Sequence, residues 1–240
     1  MQIVKSNLEE REREVKAFIR LLDHVNSRLI PRMGTTRRGD LPNKDSFTAM
    51  KATAFLMLYN IVEATVVATI KELYETIEFE RCLWKEVTPK IREVWLAQKY
   101  DLPKATATPD TYKNTARKLI DDTADGAILK LNPKALSLGG NIGAQVARDV
   151  CHKHGCSLSI HKRAKGGCEL DTVKEQRNGL AHGDLTFVEC GREYDVSDIE
   201  RISKECFLFL KGFIRSFERF VAKKHYRLAK SAREKRTVPS

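Results

Sequence analysis

An all-α fold is what this chain predicts, on three observations. Apolar residues recur at spacings of three and four over long stretches. Two Ser/Thr-x-x-Glu capping boxes occur where helices would begin. Alternation of strand type is confined to Leu158 and Ile160 among serines. The 240 residues are 42% hydrophobic and 31% charged, enough apolar content for a real core. They read as one helical domain, 1–240, with an insertion at about 100–170 and a basic tail from about 223.

Val15, Phe18, Ile19, Leu22, Val25 and Leu29 share one stripe and predict a helix over 5–30. Two prolines, two glycines and four basic residues mark 31–45 as a loop. Asp45 or Ser46 caps the next helix, 47–78, which holds the most apolar stretch, Ala52 to Ile70. Asn60 and Glu63 interrupt that stretch, and Lys51 and Lys71 bound it. This is too polar for a membrane span of about 20 apolar residues, so a buried core helix is expected. A helix over 83–99 carries Trp84 and Trp95, and the prolines within 101–110 mark a loop. A helix near 111–123 follows, then an irregular stretch around Asn132-Pro133 and Gly139-Gly140. Asn141 is placed to cap a helix over 142–154, and 155–169 is a loop or a small hairpin. Thr172-x-x-Glu175 and Gly183 bracket a helix over 172–182. Ser197-x-x-Glu200 opens a long helix with Ile199, Ile202, Cys206, Leu210, Phe213, Phe217 and Phe220 in register.

Forty-three Lys and Arg against 32 Asp and Glu leave a net charge of +11, with a pI near 9.4. Such a balance favours a polyanionic partner, nucleic acid first. Arg37 and Arg38, and Lys162, Arg163 and Lys165, are the candidate RNA contacts, with a solvated surface as the alternative for any such run. Six cysteines form no C-x-x-C pair, and the charged start has no apolar signal segment. Reduced cysteines and a cytoplasmic location are the expectation. Cys151, His152, His154, Cys156, His161 and Cys168 are ligand types for zinc, but Cys-x4-Cys is not a knuckle spacing. The expectation is a partly exposed insertion, with no metal and no cofactor. Gly139-Gly140-Asn141-Ile142-Gly143 matches neither a Walker loop nor a dinucleotide fingerprint and reads as a helix start.

The chemistry concentrates in Arg177-Asn178-Gly179-Leu180-Ala181-His182. An arginine holds a phosphate bidentately and keeps its charge, and a histidine titrates near neutral pH. Five helical positions separate Arg177 from His182 by about 140°, so they do not share a face. Asn178 and His182, four apart, do. In the last turn the helix dipole favours imidazolium. His182 thus suits acid–base work and Arg177 suits a phosphate oxygen gaining charge, while Asn178 orients the imidazole or the substrate. The same two side chains also suit plain capping of helix carbonyls. One Arg and one His are a thin site, and two copies about a two-fold axis make a fuller one. The Phe213, Phe217 and Phe220 stripe serves equally as a dimer face or as core. Asn60 and Glu63 either hydrogen-bond Arg177 or His182, or order the bundle through a buried pair.

R-N-x-L-A-H-G ahead of a long amphipathic helix resembles the HEPN superfamily, whose hallmark is R-x(4–6)-H on a core helix. Leu58-Tyr59-Asn60-Ile61-Val62-Glu63 is similar to the early core helix of its prokaryotic single-domain branch. The likeness runs over about 136–222 and 47–77. It implies an up-and-down helical bundle, here with additional helices and an irregular insertion, assembled as a homodimer. It also implies a metal-independent endoribonuclease of toxin–antitoxin or phage-defence type, acting on RNA, with an antitoxin or defence partner protein and no membrane. In that family two motifs face each other and the ribose 2′-OH is the nucleophile. By that likeness His182 is the acid/base, Arg177 the phosphate clamp and Asn178 the support. The alternative it leaves is a non-catalytic module that binds nucleic acid, nucleotide or a partner protein.

Overall fold

The structure is a computed structural model, and it describes residues 1–29, 44–99, 108–124, 126, 128–135 and 140–229. Arg37, Arg38 and the end of the basic tail lie outside the described residues. Eight α-helices occur among the described residues: α1 Gln2–Leu29, α2 Lys44–Phe79, α3 Pro89–Lys99, α4 Pro109–Ala124, α5 Ala144–His154, α6 Cys168–His182, α7 Phe187–Arg192 and α8 Val196–Ala222. The described residues form no strand, only isolated bridges from Leu83 to Ile128 and from Val87 to Arg227. The all-α expectation holds.

Two compact units divide the described residues. One draws on Met1–Val66, Leu138–Ala147 and Ser159–Ile214, the other on Val67–Ser137, Arg148–Leu158 and Arg215–Ser240. α2, α5 and α8 each contribute to both. In the first unit Leu8, Val15 and Leu22 of α1, Phe55, Leu58 and Val62 of α2, and Ile199, Phe209 and Phe213 of α8 are buried. In the second, Ile70, Leu73 and Ile77 of α2, Ile91 and Trp95 of α3, and Phe217 and Phe220 of α8 are buried. Full burial of such side chains contributes about 1.5–3 kcal/mol each. Phe213, Phe217 and Phe220 are therefore core within one chain, which resolves the two roles open for that stripe.

α2 is long and apolar enough to cross a membrane by length and composition, against the expectation from its polar interruptions. Its apolar side chains from Phe55 to Ile77 have a protein core to enter, and 56% of its most apolar window is buried there.

Several boundaries moved for local reasons. Trp84 leaves the helix expected over 83–99, because Trp84–Glu86 is a separate 3-10 turn and α3 starts at Pro89. Proline suits a first helical turn, where its missing N–H costs nothing. Ser197 does not cap α8. The helix starts at Val196, and the Asp198 carboxylate accepts from the Asp195 amide at 3.1 Å. The start of the tail is docked rather than free. Thr88 N–H donates to the Tyr226 carbonyl at 2.9 Å, Leu228 N–H to the Glu86 carbonyl at 2.8 Å, and Arg227 pairs with Glu80 at 2.8 Å.

α7 was not foreseen. Thr186 and Glu189 build its capping box, with the Glu189 carboxylate accepting from the Thr186 amide at 2.8 Å and the Thr186 hydroxyl accepting from the Glu189 amide at 3.1 Å. Gly191 packs on the start of α2, where an added Cβ would stand 1.9 Å from the Thr48 carbonyl oxygen. Backbone cannot yield as a side-chain tip can. We expect Gly191→Ala to cost about 3 kcal/mol through this overpacking. Thermal unfolding should show a Tm lower by roughly 6–12 °C.

Candidate functional site

α6 carries the Arg–His motif, and its own neighbours fix how it is rotated. Leu170 and Val173 are buried, and the Gln176 amide donates to the Tyr194 hydroxyl at 3.0 Å. α6 begins four residues earlier than the Thr172-x-x-Glu175 box indicates. Thr172 lies inside the helix, with its hydroxyl turned back to the Cys168 carbonyl at 3.5 Å. Asp171, on the same turn, accepts from the Ala144 amide at 3.2 Å and so closes the start of α5. That bond takes the capping role expected of Asn141. The end of α6 is as expected: Gly183 adopts φ +79°, a left-handed conformation that suits glycine at a helix C-terminus. The chain then reverses, and Leu185 N–H donates to the Gly179 carbonyl at 3.1 Å. A Cβ on residue 179 would lie 2.8 Å from a Leu185 methyl, so glycine inside the motif makes room for the returning Leu185.

Arg177 is half-buried and held from one side. Its guanidinium lies over the Tyr59 ring, 4.7 Å from the centroid. Its Nη1 donates to the Gly140 carbonyl at 3.2 Å and to Asn178 Oδ1 at 3.0 Å. Asn178 Nδ2 donates in turn to Asn141 Oδ1 at 3.0 Å. The Ile142 amide donates to the Tyr59 hydroxyl at 3.1 Å. Burial raises the Tyr59 phenol above its ordinary range; the Ile142 hydrogen bond lowers it, the Glu63 charge raises it, and the Arg177 charge lowers it. His182 is exposed and has no hydrogen bond or ion pair among the described residues.

The supporting residues expected from α2 are not the ones that touch the motif. Asn60 is exposed, and neither it nor the half-buried Glu63 hydrogen-bonds Arg177 or His182. Helical geometry explains the difference: Tyr59 faces α6, Asn60 is turned about 100° away, and Glu63 lies one turn along from Tyr59. Asn178 accepts from Arg177 and makes no hydrogen bond to the His182 imidazole. Tyr59, Gly140 and Asn141 were not singled out as site residues. The Gly139–Gly143 run reads as a helix start, and nothing local in it names Arg177, 37 residues on from Gly140.

Lys162, Arg163 and Lys165 lie on an exposed 3-10 turn, Lys162–Gly167. Arg163 and Lys165 line an open groove of about 590 Å³ with Lys16 and Lys204. Its cations are largely matched by acids, with Lys165 paired to Glu205 at 2.9 Å and Lys204 to Glu200 at 2.7 Å.

The Cys/His cluster is partly exposed, as expected. Cys151, His154 and Cys156 are buried, while His152, His161 and Cys168 are exposed. His154 Nδ1–H donates to the Val150 carbonyl at 2.7 Å, which leaves Nε2 to accept from the Tyr74 hydroxyl at 2.8 Å. Gln98 Nε2 donates to Tyr74 at 3.3 Å, and Gln98 Oε1 accepts from the Asn132 amide at 2.8 Å. These donors and acceptors saturate one another, so His154 is a structural imidazole. Among the described residues, the donor atoms that converge are those of Cys168, Glu169 and Glu205. Arg201 already pairs with both of those carboxylates, and Lys165 with Glu205.

An all-α chain with R-x4-H closing a core helix is a protein of the HEPN class. The family model of the HEPN_MAE_28990-like HEPN proteins matches residues 2–226, and the chain belongs to that family. No curated protein and no solved structure matches it.

Burial lowers the His154 pKa below the ordinary histidine range. The unfolded chain therefore binds the proton more readily, and stability falls as pH drops below about 6.5 towards the lowered folded value. Denaturant titrations between pH 7.5 and 5 should show a decline of up to about 1.4 kcal/mol per pH unit from this group. The decline should shrink in His154→Gln.

Proposed function

We propose that this HEPN protein is a metal-independent endoribonuclease in which Arg177 clamps the scissile phosphate and His182 moves protons. One observation carries the reading. Arg177 spends its ring-facing side and Nη1 on the protein, while Nε and Nη2 have no partner among the described residues, and the exposed imidazole of His182 follows five positions later. Carbonyl capping would have engaged these side chains with the end of α6. Arg177 instead bonds the Gly140 carbonyl, and His182 bonds no described residue.

The chemistry follows from those two groups. A neutral imidazole takes the proton of the ribose 2′-OH, the 2′-oxygen bonds to phosphorus, and the bond to the 5′-oxygen breaks. The leaving oxygen needs a proton, which an imidazolium supplies. One His182 performs one of these transfers, and a second copy of the chain supplies the other. The active species in this reading is therefore a homodimer with facing motifs. Arg177 neutralises the phosphorane as negative charge builds. Asn178 supports Arg177. The net charge of +11 supports RNA as substrate, with Lys162, Arg163 and Lys165 as candidate backbone contacts. The biological setting of this reading is the cytoplasm, in toxin–antitoxin or phage defence, with an antitoxin or defence protein as restraint.

The test is cleavage of total RNA in excess EDTA. Wild type should give fragments with 2′,3′-cyclic phosphate ends. His182→Ala should stay folded and lose about 100–10,000-fold in rate. Arg177→Ala should lose about 100–1,000-fold. Equal cleavage by wild type and His182→Ala overturns the catalytic assignment. Salt-sensitive RNA binding without turnover in either protein assigns a binding module instead.

A further inference from the structure

We infer that Tyr59 is a positioning residue for Arg177, holding its guanidinium both by the ring face and through the Gly140–Ile142 backbone. The effect on cleavage rests on the ribonuclease reading above; the effect on the arginine does not.

The two grips are separate. The first is the cation over the ring at 4.7 Å, well inside the reach of about 6 Å for such contacts. Tyr59 is fully buried, so water does not weaken the attraction on that side. The second runs through the hydroxyl. It accepts from the Ile142 amide at 3.1 Å, and Ile142 is itself fully buried, so this amide has no water to turn to. Fixing Ile142 fixes Gly140, two residues earlier. Gly140 adopts φ +64°, which L side chains rarely reach, and its carbonyl accepts from Arg177 Nη1 at 3.2 Å. Between them, Asn141 Oδ1 accepts from Asn178 Nδ2, and Asn178 Oδ1 accepts from the same Nη1. The circuit closes on itself: ring, guanidinium, Asn178, Asn141, Ile142 and phenol.

The circuit consumes one face and one nitrogen of Arg177 and leaves the Nε–Nη2 edge for a phosphate, the edge a bidentate contact uses. A long arginine side chain without such supports samples many rotamers, and each turnover would have to select one. Held in place, it meets the developing charge with little reorganisation. Loss of Tyr59 should therefore act through Arg177 and on the chemical step.

The experiment compares Tyr59→Phe, which keeps the ring and frees Ile142, with Tyr59→Leu, which removes both grips. Arg177 Nε–H is identified in the nitrogen–proton spectrum by its loss in Arg177→Lys. In wild type it should be shifted upfield by the ring current. The shift should persist in Tyr59→Phe and vanish in Tyr59→Leu. RNA cleavage should fall about 10-fold in kcat for Tyr59→Phe and about 100-fold for Tyr59→Leu, with KM little changed. Adding Tyr59→Leu to Arg177→Ala should cost nothing further, whereas a general loss of fold would lower both backgrounds alike. An unshifted Arg177 signal in wild type overturns the proposal without any variant having to fold. So does a shift that survives in Tyr59→Leu, or a further loss in the Arg177→Ala background. A shifted signal in a protein that cleaves no RNA leaves the positioning intact and sinks the ribonuclease reading instead.

Discussion

The contact between the Arg177 guanidinium and the Tyr59 ring is the constraint around which the site is arranged. It joins α6 to the most buried stretch of α2, and it puts a permanent cation against an apolar surface. A cation can remain there only if its N–H groups find acceptors or water. The Gly140 carbonyl and the Asn178 carboxamide answer that need on one side, and solvent serves the other. The half-burial of Arg177 is thus the compromise between an anchored charge and a usable one. His182 lies at the other extreme, exposed on the last turn of α6 and bonded to no described residue.

Much of the fold was legible because periodicity reports burial. The stripes of α1 and α8 and the apolar length of α2 are in the sequence, and Val15, Ile19 and Leu22 of α1, the whole α8 stripe and much of α2 are core. Helix starts were harder to read. Thr172 and Ser197 have cap chemistry, but Leu170 extends α6 past the first and Asp195 with Asp198 starts α8 before the second. α7 has only six residues, too few for a periodic signal, although Thr186 and Glu189 are a capping box of the same type. The interruptions at Asn60 and Glu63 read as too polar for a bilayer, yet length and average composition still meet that test. What decides is the set of side chains packed around it.

The site was half legible. Arg177, Asn178 and His182 share six residues and were visible as a unit. Their supports were not, because Tyr59 lies 118 positions upstream and aromatic residues in apolar helices ordinarily mean core. Asn60 and Glu63 drew attention as polar residues in an apolar run, but helical rotation turns Asn60 outward and leaves Glu63 to act only through its charge. The Cys/His cluster is divided by helical rotation as well. Cys151 and His152 are neighbours on α5 yet the first is buried and the second exposed, and His154 and Cys156 are buried while His161 and Cys168 are exposed. The buried His154 carries a hydrogen-bond chain, a role that spacing alone does not reveal.

Leu185 returning onto Gly179 gives the motif an internal geometry of its own. The residues between Arg177 and His182 are not a neutral spacer here, because position 179 is the socket into which the chain after the helix folds back. Size at 179 and size at 185 must therefore be traded against each other. Relatives with a bulkier residue at the first should carry a smaller one at the second, and the two positions should change in step while Arg177 and His182 stand still.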